Sequence, residues 1–243
     1  MPAEYIAMDA DVAPVAALIA DPARAAMLTA LLDGRALAAG ELARLAGVSA
    51  PTASSHLARL LDGGLVTVVS QGRHRYYRLA GPDVAAVLEV LARVSDRPAV
   101  RSLRQSRQAR LLREARTCYD HLAGRVGVEI YDALVREGRL LDEEEGARRI
   151  TDAGAAALAG LGVDVEAARL SRRRFAPGCL DWLERRPHLG GALGAALLER
   201  LLDAGWLVRG SARRALRLTE AGRDGLAATL GCKDLSCDTL VTS

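Results

Sequence analysis

"GVSAPTASSHLARLLDGGLVTVVSQGRHRYYRL", Gly47 to Leu79, decides how the first part of the chain folds. Ser49 is a good N-cap and Pro51 suits a first-turn position, which predicts a helix running to about Asp62. Within it Ala53, Leu57, Leu60 and Leu61 make an inward stripe, with Thr52, Ser55, His56 and Arg59 on the opposite face. Gly63 and Gly64 end the helix. "LVTVV" and "RYYRL" then flank "SQGRH" as two strands joined by a glycine-containing turn.

Upstream, a short apolar helix begins near Val12, and Asp21-Pro22 opens a second helix that Gly34 stops. "AAGELARLAG" reads as a third helix closed by Gly47. Third helix, tight turn, fourth helix and hairpin compose a helix-turn-helix with a wing. A recognition helix presents short polar groups and an occasional Arg or His to base edges while its other face stays in a core. The candidate DNA-contacting residues are therefore Ser49, Thr52, Ser54, Ser55, His56 and Arg59. At the hairpin tip, Arg73, His74 and Arg75 are placed to enter a minor groove or clamp phosphates.

From about Val12 to Val94 the chain resembles the ArsR family of bacterial winged-helix repressors. The resemblance is carried by "DPARAAML", by S-x-P-x-x-S-x-H-L-x-x-L-x-x-x-G-L-V, and by G-R and Y-x-L in the wing. It implies a homodimer formed through the flanking helices, bound to an inverted-repeat operator in double-stranded DNA, with repression relieved by an effector. By the same resemblance Ser54 and His56 match the family's DNA-facing pair and Arg73 its wing arginine. The chain departs from the family at Ala50 and Ser55, where relatives often carry longer polar groups. It also lacks the third-helix cysteines of one familiar metal site, and the histidine of another after the wing, where Asp83 and Glu89 stand.

At 243 residues, two compact units are the expectation. Half the residues are hydrophobic and only 3% aromatic, a balance of Ala, Leu and Val that favours packed helices. The net charge of +3 discriminates weakly. No secretory pattern and no window long enough to span a bilayer are legible, so a cytoplasmic protein without membrane association, its four cysteines reduced, is expected. An enzyme using Cys118 or Cys179 as nucleophile is disfavoured, because no third orienting group and no Gly-rich phosphate loop are visible. No catalytic residue, metal-ligand quartet or cofactor is assigned.

The expected fold is mainly α with small β-hairpin wings. An N-terminal winged helix-turn-helix over 1–95, serving DNA binding and dimerisation, is followed by a basic linker helix over 96–117. A C-terminal domain of two winged-helix-like repeats over 118–230 and a polar tail over 231–243 complete the chain. The linker carries seven Arg against Asp96 and Glu114. The repeat appears when the second half is slid on itself: "HLAGRVGVEIYDALVREGRL" from His121 aligns without a gap on "HLGGALGAALLERLLDAGWL" from His188. "RRITDAG" and "RLTEAG" follow the two copies.

Cys118 and His121 stand three apart on an expected helix, hence on one side of it, and "RRRFAPGCLDWLERRPHLGG" adds Cys179, Trp182 and His188. These five are the candidate effector-sensing residues. A thiolate beside an imidazole can take a soft metal or serve redox sensing, while burial in a core accounts for the same residues equally simply. Phe175, Trp182, Trp206 and Tyr131 could line a small-molecule pocket or fill a core. Cys232 and Cys237 fall in the tail. The function read from the sequence is a DNA-binding transcriptional regulator, a homodimeric repressor released by an effector of small-molecule or thiol-reactive type sensed in the C-terminal domain. The alternatives are a thiol- or metal-responsive sensor using Cys118 and Cys179, or a C-terminal protein-interaction module.

Overall fold

The structure, a computed structural model, describes residues 10–72, 74–95, 102–143, 148–233 and 235. The chain divides into two compact units, Met1–Leu91 and Ala92–Ser243. Among the described residues no helix is long and apolar enough to cross a membrane.

In the first unit α1 (Ala13–Ala20) leads into α2 (Pro22–Ala30), where the Asp21 side chain accepts a hydrogen bond from the Arg24 backbone N–H. The short strand β1 (Leu37–Ala38) precedes α3 (Ala39–Ala46), which Gly47 ends in the left-handed conformation that a residue without Cβ adopts at little cost. Then α4 (Ala50–Asp62) starts on Ser49, whose Oγ accepts from the Thr52 N–H. The wing is β2 (Val66–Gln71) paired antiparallel with β3 (His74–Leu79), and α5 (Pro82–Val94) follows. The sequence shows no strand at Leu37; in the structure Leu37 pairs with Tyr77 and Ala38 with Tyr76, which gives a sheet of order β1-β3-β2. The sheet backs a core of Met27, Leu28, Leu42, Ala53, Leu57 and Leu60, all 0% exposed.

The second unit opens with α6 (Leu103–Glu114), the described part of the segment expected as a linker helix. The helix stops where Ala115 turns extended. The chain then forms β4 (Arg116–Cys118), paired with β5 (His121–Ala123), and continues through α7 (Arg125–Arg136), the pair β6 (Leu140–Asp142) and β7 (Arg148–Ile150), and α8 (Asp152–Gly160). After α9 (Val165–Leu170) come β8 (Gly178–Leu180) and β9 (Pro187–Leu189), α10 (Gly191–Asp203), β10 (Leu207–Arg209) with β11 (Leu216–Leu218), and α11 (Glu220–Leu230). Hairpin, helix, hairpin, helix thus occurs twice.

Equivalent side chains serve equivalent ends in the two passes. Thr151 caps α8 by accepting from the Gly154 N–H and Thr219 caps α11 by accepting from the Gly222 N–H. Their hydroxyls also donate back to the carbonyls of Gly138 and Gly205, at 3.1 and 3.0 Å. Gly127 and Gly194 sit where α7 and α10 press on the strands before them: a Cβ would lie 2.5 Å from the Leu122 carbonyl oxygen and 2.3 Å from that of Leu189. The two passes are interlocked, because α7 packs on β9 and α10 on β5. One apolar core, including Val126, Ile130, Leu134, Leu193, Leu197 and Leu201, joins both.

Two expectations are corrected. Cys118 and His121 do not share a helix. They are cross-strand partners in the β4–β5 hairpin, whose turn places Tyr119 at φ 59°. The strand forms because Thr117 N–H bonds to the Arg214 carbonyl and Leu216 N–H to that of Ala115, extending the ladder to the far end of the unit. The start of the polar tail is also packed: Cys232 and Leu235 are buried, and the Lys233 N–H donates to Glu129. Residues 96–101 of the linker, 236–243 of the tail with Cys237, and Arg73 of the wing lie outside the described residues.

Candidate functional site

In the first unit, α4 buries Ala53, Leu57 and Leu60 and leaves Thr52, Ser54, Ser55 and Arg59 exposed. Ser49 and Thr52 are joined by a 2.8 Å hydroxyl contact and Ser54 Oγ donates to the Ala50 carbonyl, so the helix start carries short, locally satisfied polar groups. His74 and Arg75 are exposed on the wing, and the Arg75 guanidinium lies 5.6 Å from the Tyr77 ring centre.

His56 is placed differently from its neighbours. Its side chain is only 16% exposed, with Nδ1 at 3.4 Å from Nη1 of Arg24 and 3.8 Å from Oδ1 of Asp21. Arg24, buried at the start of α2, also donates to the carbonyls of Leu18 and Ala17. One face of the His56 ring system is therefore committed to the joint between α2 and α4. Sequence reading missed Arg24, which an arginine inside an apolar helix stripe signals.

In the second unit the structure gathers residues from both passes. Cys118 on β4 faces His121 on β5, and Cys179 on β8 faces His188 on β9. The Cys118 and Cys179 sulfurs are 3.9 Å apart, and the two imidazoles stack at 5.1 Å between ring centres. One ligand-type atom from each of the four residues lies within 4.8 Å of the other three. Cys118, His121 and His188 are buried and Cys179 is half-buried.

Two carboxylates flank the group. Asp120 Oδ1 is 3.5 Å from His121 Nδ1 and accepts from Arg173 at 3.0 Å. Asp181 Oδ2 is 3.8 Å from His188 Nδ1 and 3.0 Å from Nη2 of the buried Arg116. Asp181 also accepts from the backbone N–H groups of Gly124, Leu183 and Glu184. The signal was present in the sequence: carried back across the hairpins, the repeat aligns Cys118-x-Asp120 with Cys179-x-Asp181, each followed by its histidine.

Hydrogen bonding from Cys118 outweighs burial and, with His121 and His188 alongside, holds the Cys179 thiol far below the usual thiol range. Burial disfavours the His121 imidazolium, yet Asp120 and Cys179 beside it win and raise its pKa. Both shifts run in the direction that favours the charged pair, a thiolate beside an imidazolium.

Trp182, the fifth expected sensing residue, lies beneath the Arg116 guanidinium, 4.9 Å from its ring centre, and takes no part in the four-residue group. The other aromatics are accounted for by packing. Tyr131 is in the core, Phe175 is covered by Arg169, and Trp206 sits against Gly222 and Gly225. A surface depression bordered by Gly162, Asp164, Arg173, Ala196 and Arg200 is lined by neither a cysteine nor an aromatic.

A family model described as a helix-turn-helix domain matches residues 19–69. The uncharacterized HTH-type transcriptional regulator YdfF of Bacillus subtilis is 45% identical over 216 residues, 89% of this chain and 95% of that one. The HTH-type transcriptional regulator CmtR of Mycobacterium tuberculosis is 38% identical over 87 residues, 34% of this chain and 73% of that one. Among solved structures, the homodimeric winged helix-turn-helix DNA-binding domain Mb0332 of Mycobacterium bovis is 33% identical, with a TM-score of 0.33, covering 37% of this chain and 83% of that one. The helix-turn-helix and a relative matched over nearly its whole length agree: the chain belongs to the HTH-type transcriptional regulators.

Proposed function

We propose that the protein is a cytoplasmic homodimeric repressor that grips an inverted-repeat operator with α4 and the wing and is released by an effector sensed in the second unit. The observation that carries the DNA-facing part is the exposed polar side of α4, Thr52, Ser54, Ser55 and Arg59, beside a wing bearing exposed His74 and Arg75. Short side chains at Ala50 and Ser55 leave much of the discrimination to backbone contacts and DNA shape. Arg73 completes the wing contact in this reading.

Dimerisation is supported by an exposed apolar stripe on α5. Val87, Val90 and Val94 recur at helical spacing and are 45%, 46% and 78% exposed, while Val12 before α1 is 71% exposed. Such a stripe at a chain's surface marks an association face. Two-fold pairing sets half-sites about one helical turn, roughly 34 Å, or a multiple apart. The second unit reads as two copies of one hairpin–helix–hairpin–helix unit, supported by the paired threonine caps and the glycines at Gly127 and Gly194. The domain limits proposed are 1–95 for DNA binding and dimerisation, with 118–230 as the regulatory part.

A gel shift on the DNA upstream of the protein's own reading frame, repeated across a salt series, tests the reading. Binding with a steep salt dependence and a footprint of two symmetric half-sites is expected. Binding to a single half-site with one copy, or none at low salt, would overturn it.

A further inference from the structure

Four donors of two chemical kinds converge in the second unit, and no step of DNA recognition uses them. We propose that Cys118, His121, Cys179 and His188 form a tetrahedral binding site for a thiophilic d10 cation, of which Zn2+ is the representative.

The spacing fits coordination. A cation holding two thiolates at about 2.3 Å in tetrahedral geometry separates their sulfurs by roughly 3.8 Å, and Cys118 and Cys179 stand at 3.9 Å. A disulfide needs about 2.05 Å, so the two sulfurs sit at the edge of a tetrahedron rather than at bonding distance. The imidazoles supply the missing corners. His121 Nε2 and both ring nitrogens of His188 are buried without a hydrogen-bond partner. Leaving such atoms unsatisfied is costly unless something else binds them.

The surroundings match what a ligated histidine requires. Each imidazole has a carboxylate near Nδ1, Asp120 for His121 and Asp181 for His188, which leaves Nε2 for a cation. Each carboxylate is in turn anchored by an arginine, Arg173 or Arg116. Asp120, at 3.5 Å, is within hydrogen-bond reach and in position to fix the His121 ring and raise the basicity of its free nitrogen, while Asp181, at 3.8 Å, acts on His188 through its charge. Gly190 keeps the space clear: a Cβ there would stand 3.3 Å from Cys179 Cβ and 3.5 Å from His121 Nε2.

Donor chemistry names the class of ion. Two sulfurs and two imidazole nitrogens suit Zn2+, Cd2+ or Cu+ and repel Mg2+ and Ca2+, which take oxygen. Two thiolates and a divalent cation sum to zero charge, the least costly state for a buried group. On binding, both cysteines ligate as thiolates and both histidines as neutral imidazoles, any protons they carry pass to solvent, and four metal–ligand bonds form with no change in oxidation state. All four corners come from protein, so the site is closed and holds structure instead of activating water. Because each hairpin contributes one cysteine and one histidine, an ion there ties the two interlocked passes together, and its binding adds to the stability of the unit. If the repressor reading also holds, this ion is the effector or a part of its sensor; binding itself does not depend on that reading.

The test uses the full-length protein, stripped of metal and reduced, titrated without oxygen with Co2+ and then Zn2+. One Co2+ per chain should give the intense visible bands of tetrahedral cobalt with thiolate charge transfer, and Zn2+ should displace it. Cys118→Ser and Cys179→Ser should abolish the thiolate band. Asp120→Asn should weaken binding about 10- to 100-fold, and Cys232→Ser should bind as wild type does. Should a serine variant fail to fold, the stoichiometry and spectrum of the wild type still decide. Octahedral cobalt spectra, no saturation at one ion, or a reduced protein that takes neither metal would overturn the proposal. So would binding that persists in a folded Cys118→Ser/Cys179→Ser double variant. A gel shift with the metal-free and Zn2+-loaded protein separates the two readings: loss of all operator binding in both forms removes the repressor and leaves the metal site standing.

Discussion

The sulfurs of Cys118 and Cys179 lie 3.9 Å apart although 61 positions separate them in the chain. Two hairpins bring them there, each pairing its cysteine with a histidine across the strands. The packing of α7 on β9 and of α10 on β5 holds the hairpins together. The geometry of the four-residue group therefore depends on close helix–strand approach in both passes, which the following substitution probes.

Gly194→Ala places a methyl group 2.3 Å from the Leu189 carbonyl oxygen and 3.1 Å from the His121 Cβ. Backbone and ring cannot both move aside. Urea unfolding should show a loss of about 1–3 kcal/mol or more, and Gly127→Ala should behave alike. Gly40→Ala in α3 meets nothing within 4 Å and should be neutral or stabilising by up to about 1 kcal/mol. Equal losses at Gly40 and Gly194 would contradict the packing described.

Burial, with the Glu129 carboxylate nearby, pushes the Cys232 thiol up to about 12. Its unfolded value is lower, so the unfolded chain loses this proton first as pH rises. The stabilising contribution is complete below about pH 9 and disappears between about pH 9 and 12. Urea midpoints measured from pH 8 to 11 should fall less steeply in Cys232→Ala than in wild type, and identical slopes would count against the burial. Mass mapping of alkylation at pH 7.5 should find Cys232 unlabelled in the folded protein.

Arg59 and Arg75 are exposed cations on α4 and β3. Replacing either by Ala should weaken binding to operator and random DNA by similar factors and flatten the log–log salt slope by about 1. Thermal stability should hardly move. A slope unchanged in both variants would show that neither side chain meets a phosphate.

Val90 lies in the middle of the exposed α5 stripe. Val90→Glu puts a charge into any face that stripe covers, and sedimentation should show a shift from dimer to monomer at micromolar protein. Operator affinity should fall with it, because two half-sites are then bound separately. A variant that stays dimeric would place the association face elsewhere.

The order of elements in the first unit was legible in the residues because local chemistry dictates it. Ser49 caps α4, Gly47 closes α3, and Gly63 and Gly64 divide helix from wing, each acting on its immediate neighbours. The likeness of the two stretches in the second half was legible for a similar reason, since threonine caps and glycines stand in like order in both. Local chemistry could not show that His56 leans on Arg24, that Leu37 joins the wing, or that Cys232 is buried, since each partner is distant in sequence. The helix expected at Cys118 failed for the same cause: Ala115 and Thr117 find ladder partners near residue 215, and a long-range hydrogen bond outweighs a local spacing. By itself the sequence determined a helix-turn-helix with a wing and, after it, two stretches of similar residues from His121 and His188. Only the tertiary structure decided that one cysteine and one histidine from each repeat meet, because strand register and helix packing set distances that no spacing along the chain encodes.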